Sequence, residues 1–548
     1  MKSILLSLLS SLLFFTALSA QVKTLDSGGP LMPEQAAYDV LFYHLNLEII
    51  PDKRQIDGYV DVRAKIVHPT NVLVLDLDNA LKVTKAADVN NDLKELSFSR
   101  DAGKLWIQLE TTQQRNTEIE VRVYYNGKPR VAPNPPWDGG FTWERTSSGA
   151  HWIATSCQTQ GADLWWPNKD HVSDEPDSMA LTIHVPDPLY VATNGHFRGK
   201  KPYKEGISTY EWYISTPINN YNVALNIAPY VALKEEMQSV AGDMIPVVFY
   251  VLPEDEENGR KLMPEILEHL AFYEKYLGPY PFRQDKYGVV QTPHLGMEHQ
   301  TIIAYGANFN NGSMTGGRDW GFDALHHHEL GHEWWGNLVT NFDWKDMWIH
   351  EGFCSYMQAI YMEDKKGKEG YHAYMDNMRR FPNTLAVGPE TTTSAQNIYR
   401  APIYTKGAWI LHSMRYLIGD AAFFKALRRM CYPHPAMEAI KDGKQCRFVT
   451  TDDFKAICEA ESGMDLDWFF DLYLRQAKLP TLISRVEKGK ISLRWDTPDN
   501  LPFAMPVDVL IGDEVKRVDV NNDGVEVPFE RGQRPEVDPQ KWILMEVK

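Results

Sequence analysis

Residues 323–338 read DALHHHELGHEWWGNL, and within them His328-Glu329-Leu330-Gly331-His332 decides how the middle of the chain is understood. His328 and His332 are four apart, so on an α-helix they share one face, a single turn from each other. Two imidazoles so placed can hold one Zn²⁺, which takes histidine nitrogens at roughly 2.0–2.1 Å. Glu329 is rotated by about a hundred degrees from His328, enough to miss the metal yet reach water beside it. The five residues alone also suit a helix with surface histidines. A third ligand is needed, and so is a group that decides what the metal acts on.

Helical spacing surrounds this stretch. KLMPEILEHLAFYEKYLG stops at a glycine before Pro279 and Pro281, and GFCSYMQAIYMEDKKG, GAWILHSMRYLIG and LDWFFDLYLRQA continue the pattern to about residue 478. Upstream, from Tyr38 to about Ala232, short runs such as GYVDVRAKIV, EIEVRVYYN and MALTIHVPD alternate between turns, the texture of an antiparallel β domain. After Lys-Leu-Pro at 478–480, strand-like segments return in ISLRWDT, MPVDVLIG, VKRVDVNN and KWILMEVK, enough for a small β-sandwich. The reading is a multidomain α+β chain: a signal peptide at 1–20, an N-terminal β domain at 21–240, a mostly helical catalytic domain at 241–478 and a small β-sandwich at 479–548.

The 548 residues carry 56 basic and 73 acidic side chains, a formal charge of −17, which argues against nucleic acid and against anionic lipid. MKSILLSLLSSLLFFTALSA has one lysine, an apolar run from Ile4 to Leu18 and small residues before Gln21, the pattern of a cleaved secretory signal. The expected product is exported, periplasmic or secreted, with no membrane span after cleavage. Of five cysteines, Cys431 and Cys446 bracket a Pro/Gly-containing loop and form the most plausible disulfide. Cys157, Cys354 and Cys458 read as buried thiols.

Nineteen residues after His332, Glu351 opens a second helical pattern. Together, His328-Glu-Leu-Gly-His332-Glu-Trp-Trp-Gly-Asn337 and Trp348-Ile-His-Glu351-Gly-Phe353 resemble the zinc core of the aminopeptidase N and leukotriene-hydrolase family. The resemblance implies a thermolysin-like catalytic domain and one Zn²⁺ per chain, held by His328, His332 and Glu351, with Glu329 as the proton carrier. His326 and His327 have no place in this pattern and read as solvent-facing or packing residues. His350 stands where the family often has Asn and reads as a structural neighbour.

Exopeptidase action needs groups that hold a free amino terminus, and carboxylate and amide oxygens do so through charge-assisted hydrogen bonds. HLGMEHQ at 294–300 resembles the family's Gly-x-Met-Glu-Asn motif, although Leu295 replaces its first Gly and His299 its Asn. This gives Glu298 the α-amino group, and Gly296 and Met297 an edge of backbone and part of a side-chain pocket. TSCQTQGADLWWPNKD at 155–170 resembles the family segment that supplies a second amine contact, placing Gln158 there. APIYTKGAWILHSM at 401–414 resembles the segment whose tyrosine hydroxyl stabilises the oxyanion, which makes Tyr404 the candidate. ATNGHFRG (192–199) and STPINNYNVALNIAPY (215–230) also look like family segments, so the likeness spans nearly the whole mature chain. The long helical C-terminal domain usual in the family is not found after the small sandwich.

The implied function is an exported zinc aminopeptidase that removes the first residue of peptides with a free N-terminus. An epoxide hydrolase of the leukotriene type and a catalytically silent peptide-binding protein are the alternatives on the same scaffold.

Overall fold

The computed structural model describes residues 26–548, so the signal expected at 1–20 lies outside the described residues. The first third is built on an eight-stranded sheet. Tyr38–Ile50 alternates buried and half-buried side chains, sending Leu45, Leu47 and Ile49 inward. It turns at Pro51–Lys53, where Arg54 takes a left-handed conformation, and pairs antiparallel with Gln55–Ile66. Its other neighbour, Ser178–Pro186, runs parallel to it. This pair is the one parallel step described in an otherwise antiparallel sheet, because alternation fixes which face is buried and not the direction of the partner. A second sheet contains Gly140–Arg145 and His151–Ser156, and the latter strand leads into Gln158.

Four strands open the middle part. Val231–Gln238 pairs antiparallel with Met244–Val251, followed by parallel Tyr287–Gln291 and Ile303–Tyr305. A further bridge sets Met297 antiparallel to Ala304, so residues around Gly296 form the outer edge of this sheet. Against it pack helices α1 (Glu256–Leu277) and α2 (Ala324–Gly331); α3 (Trp348–Met378) packs on α2, and α5 (Thr405–Ile418), which follows the short α4 (Ala395–Ile398), packs on α3. Helices Asp420–Cys431, Thr451–Ser462 and Asp467–Tyr473 complete this part.

The C-terminal residues form two sheets, of four and three strands. KWILMEVK contributes only the two-residue strand Glu546–Val547. Residues 542–544 instead lie on α5: Trp542 stacks on His412 at 4.6 Å, and the Leu544 N–H donates to Ser413 Oγ at 2.9 Å. An apolar run satisfied by helix side chains has no need of a strand partner. All five cysteines are free thiols, so the expected Cys431–Cys446 disulfide is corrected; Cys431 ends its helix in the core. Among the described residues, no helix is long and apolar enough to cross a membrane.

Candidate active site

The site grows from α2. Asp323 caps the helix by accepting from the His326 N–H at 3.0 Å, leaving one regular stretch to Gly331 with His332 as its still-helical cap. The helix is shorter than the periodicity predicts. A side chain at Gly331 would meet the Tyr273 hydroxyl of α1 at 2.5 Å, and Gly336 at φ +141° takes the chain away. His328 and His332 keep their shared face: their Nε2 atoms lie 3.2 Å apart.

Glu351, in the first turn of α3, faces them. Its Oε2 is 3.2 Å from His328 Nε2 and 3.5 Å from His332 Nε2. The centre of this triangle is about 1.9 Å from each corner, close to the roughly 2.0–2.1 Å between zinc and imidazole nitrogen. His332 Nδ1 lies 3.0 Å from the Trp335 carbonyl, which fixes the tautomer and aims Nε2 at the triangle. Burial alone would raise the Glu351 carboxyl, but the two imidazoles outweigh it and hold it well below the usual carboxylate range. Three buried donors aimed at one point fit a tetrahedral metal with one position open.

Glu329 points into the same cavity. Its Oε1 lies over Gly296, where a Cβ would meet it at 2.1 Å. Burial pushes its carboxyl well up; His332 opposes this, while Glu298 and Glu351 add to it. Glu298 is buried a few ångströms away, and burial lifts its carboxyl to about 7. Gln158 Nε2 donates to Glu298 Oε1, and the Tyr221 hydroxyl donates to the same oxygen at 3.2 Å. Met297 and Glu298 follow Gly296 along the sheet edge and line the cavity with it. Behind them, Asn337 donates to the Glu298 carbonyl at 3.2 Å, and Asn222 donates to Asn337 at 2.7 Å.

Tyr404 stands beside the triad, its ring stacked 5.9 Å from that of His328. Its hydroxyl donates to Glu351 Oε1 at 2.9 Å, and Tyr399 donates to the same atom at 2.8 Å. These residues, with Gln158, Thr159, Leu295, Ser313, Met314, Leu325, Pro136 and Trp137, enclose a cavity of about 690 Å³ between the β region and the helices.

Every site residue expected from the sequence converges here: His328, His332, Glu351, Glu329, Glu298, Gln158, Gly296, Met297 and Tyr404. Tyr399 and Tyr221 were not legible as site residues; in a chain with 26 tyrosines neither carries a local signal. His326 and His327 are packing residues, yet neither faces solvent: both are fully buried. His326 lies 2.8 Å from His269 Nδ1 on α1 and 2.7 Å from the Tyr287 hydroxyl. His350 Nε2 accepts from the Asn341 N–H at 3.0 Å, a structural contact.

Residues 39–221 match the peptidase M1 N-terminal domain, and residues 263–473 match the peptidase family M1 domain. The puromycin-sensitive aminopeptidase of Caenorhabditis elegans is 22% identical over 509 residues, 86% of this chain and 51% of its own length. The chain spans about half the length of that relative and less of others it matches. An M1 zinc metallopeptidase of Deinococcus radiodurans, a mutant bound to Tyr-Ser-Ala, superposes with a TM-score of 0.65 at 22% identity, covering 81% of this chain and 95% of the other. Aminopeptidase A of Legionella pneumophila, in complex with aspartic acid, gives 0.72 at 17% identity, covering 93% and 60%.

Proposed function

The chain belongs to the peptidase M1 family, and on that premise we propose that it is an exported zinc-dependent aminopeptidase acting on peptides with a free N-terminus. One observation carries the reading. Among the described residues, the cavity is lined by three buried carboxylates, Glu298, Glu329 and Glu351, and by no lysine or arginine. Glu351 has two imidazoles beside it, while Glu298 and Glu329 are raised by burial for want of nearby positive charge, so such a cavity suits cationic occupants. A divalent metal on the His328–His332–Glu351 triangle and a substrate ammonium at Glu298 supply three positive charges.

When bound, zinc supplies Lewis acidity that polarises a carbonyl oxygen and makes water easier to deprotonate. The protein does the rest. Glu329, its carboxyl raised by burial, takes the proton of the attacking water and delivers it to the leaving amine. Tyr404 is within reach to turn its hydroxyl from Glu351 toward the developing oxyanion, leaving Tyr399 to hold the carboxylate. Glu298 and Gln158 fix the ammonium, so the first peptide bond lies beside Glu329. The complex of the Deinococcus relative with Tyr-Ser-Ala supports a peptide in such a cleft. Export rests on the N-terminal apolar run ending in small residues.

Aminoacyl-arylamide hydrolysis, abolished by a chelator and restored by zinc, tests the activity. Glu329→Gln should keep one zinc per chain by elemental analysis while kcat falls by orders of magnitude. Loss of the zinc along with the activity would show that Glu329 is a ligand. Strong turnover of N-blocked peptides would overturn the roles of Glu298 and Gln158.

A further inference from the structure

Glu298 leads into a strained turn. The Ile302 N–H donates to the His299 carbonyl at 2.9 Å and closes it, and Thr301 within it takes φ +60°. A β-branched residue rarely enters that left-handed region, and such a conformation lasts only where its surroundings impose it. From the side of α2 comes Glu333, whose Oε1 accepts from the Thr301 N–H at 2.7 Å. The β region holds the turn from the other side. The Gly195 N–H donates to Thr301 Oγ1 at 2.8 Å, and Asn194 Nδ2 donates to the Gln300 carbonyl at 2.6 Å. Gln300 Nε2 in turn donates to the Pro217 carbonyl at 2.9 Å.

A second turn of the β region, Asn220–Asn222, grips Glu298 itself. Asn219 caps it by accepting from the Tyr221 N–H at 3.2 Å, which fixes the directions in which Tyr221 and Asn222 leave it. The Tyr221 hydroxyl donates to Glu298 Oε1 at 3.2 Å, the same oxygen that takes the Gln158 amide. Asn222 donates to Asn337 Oδ1 at 2.7 Å, and Asn337 donates to the Glu298 carbonyl at 3.2 Å. Asn194 Nδ2 also reaches the Asn222 carbonyl at 2.8 Å, which ties the two turns together. Tyr221, Asn194, Asn222 and Asn337 are all buried.

Both bonds to the Glu298 carboxylate end on Oε1, so an ammonium in the cavity is left Oε2. The direction of that oxygen is set twice, by Tyr221 at the side chain and by Asn222 through the backbone. Binding a cation then costs little ordering of its acceptor. Resting on the aminopeptidase reading, we propose that Tyr221 and Asn222 are positioning residues for the substrate amine. One turn of the β region holds Glu298 in the orientation that receives the ammonium, and so sets the preference for a free N-terminus.

Two ligands test this on the zinc-loaded full chain: leucine hydroxamic acid and isocaprohydroxamic acid, which differ only in the α-amino group. Both present the same chelating hydroxamate, so the ratio of their calorimetric affinities reports the amine contact. We expect the unsubstituted chain to prefer the amine-bearing ligand by roughly tenfold or more. Tyr221→Phe, which removes one hydroxyl and keeps the ring, should lower that ratio roughly fivefold while the amine-free ligand binds as before. Its KM for a leucyl-arylamide should rise more than its kcat falls. Asn222→Ala, acting through Asn337, should lower the ratio by a smaller factor. A ratio unchanged in Tyr221→Phe overturns the proposal. So does an equal loss of affinity for both ligands, because a merely structural role would weaken the two alike. Equal binding of the two ligands by the unsubstituted chain would instead sink the aminopeptidase reading on which the proposal rests.

Discussion

Gly296 makes room for the Glu329 carboxylate by having no side chain. The Glu329 carboxylate occupies the volume that a Cβ would fill, and that oxygen is the far end of a flexible chain. Gly296→Ala should therefore move Glu329, together with the Leu325 methyl that would stand 2.6 Å from the new Cβ. We expect kcat to fall on the order of 10²-fold, the usual worth of a positioned general base, with zinc content and melting temperature close to the unsubstituted values. A variant that melts early and loses metal would show that Gly296 serves the fold instead. At this scale the sequence spoke clearly where one helical turn set the geometry, as for His328 and His332. Glu298 and Tyr404 were reached only through a family likeness. Tyr399 and Tyr221 were silent because each meets its carboxylate across 48 and 77 residues of chain. Only the folded structure creates those contacts.

Between elements, a pair of glycines brings the site together. α3 carries Glu351 and α5 follows Tyr404, and the two helices cross where Gly352 faces Gly407. A Cβ on Gly352 would lie 3.0 Å from the Gly407 Cα, and one on Gly407 would lie 2.9 Å from the Gly352 Cα. This close approach lets the Tyr404 hydroxyl reach Glu351. Gly407→Ala, although favoured by helix propensity, should force the helices apart. We expect a loss of roughly 1–3 kcal/mol in stability by denaturant unfolding, as for overpacked cores, together with a fall in kcat/KM. An unchanged or raised stability would mean that the crossing can relax. Glu-Gly and Lys-Gly were visible in the sequence as motif residues, but their contact was not, since periodicity gives a helix its face and not its partner. The same limit explains the parallel pairing of Tyr38–Ile50 with Ser178–Pro186 and the fate of KWILMEVK.

In the whole molecule the site is a seam. Gln158, Tyr221, Thr159, Pro136 and Trp137 come from the β region and the other groups from the part after it, and residues 27–29 tie the two. The Ser27 N–H donates to the Thr159 carbonyl at 3.1 Å, and the Ala395 N–H donates to the Ser27 carbonyl at 2.9 Å. Histidines sit at such junctions. Burial pushes His294, beside the sheet edge, down to about 4, and His326, between α1 and α2, down to about 3. His412, where α5 meets the C-terminal sheets, is also driven to about 3 by burial, against the pull of the Lys541 carbonyl 3.0 Å from its Nε2. These folded-state values lie below the roughly 6.5 of an unfolded histidine, so acid adds protons to the unfolded chain first. Their contribution is present above about pH 6.5 and is lost as pH falls toward the folded values. Between pH 7 and pH 5, His412 alone should cost on the order of 2 kcal/mol of stability. His412→Gln keeps a donor for the Lys541 carbonyl and cannot titrate. Denaturant unfolding at the two pH values should show it losing about 2 kcal/mol less than the unsubstituted chain. Equal losses in the two proteins would mean that His412 is already solvated in its folded setting, and that acid opens the molecule elsewhere.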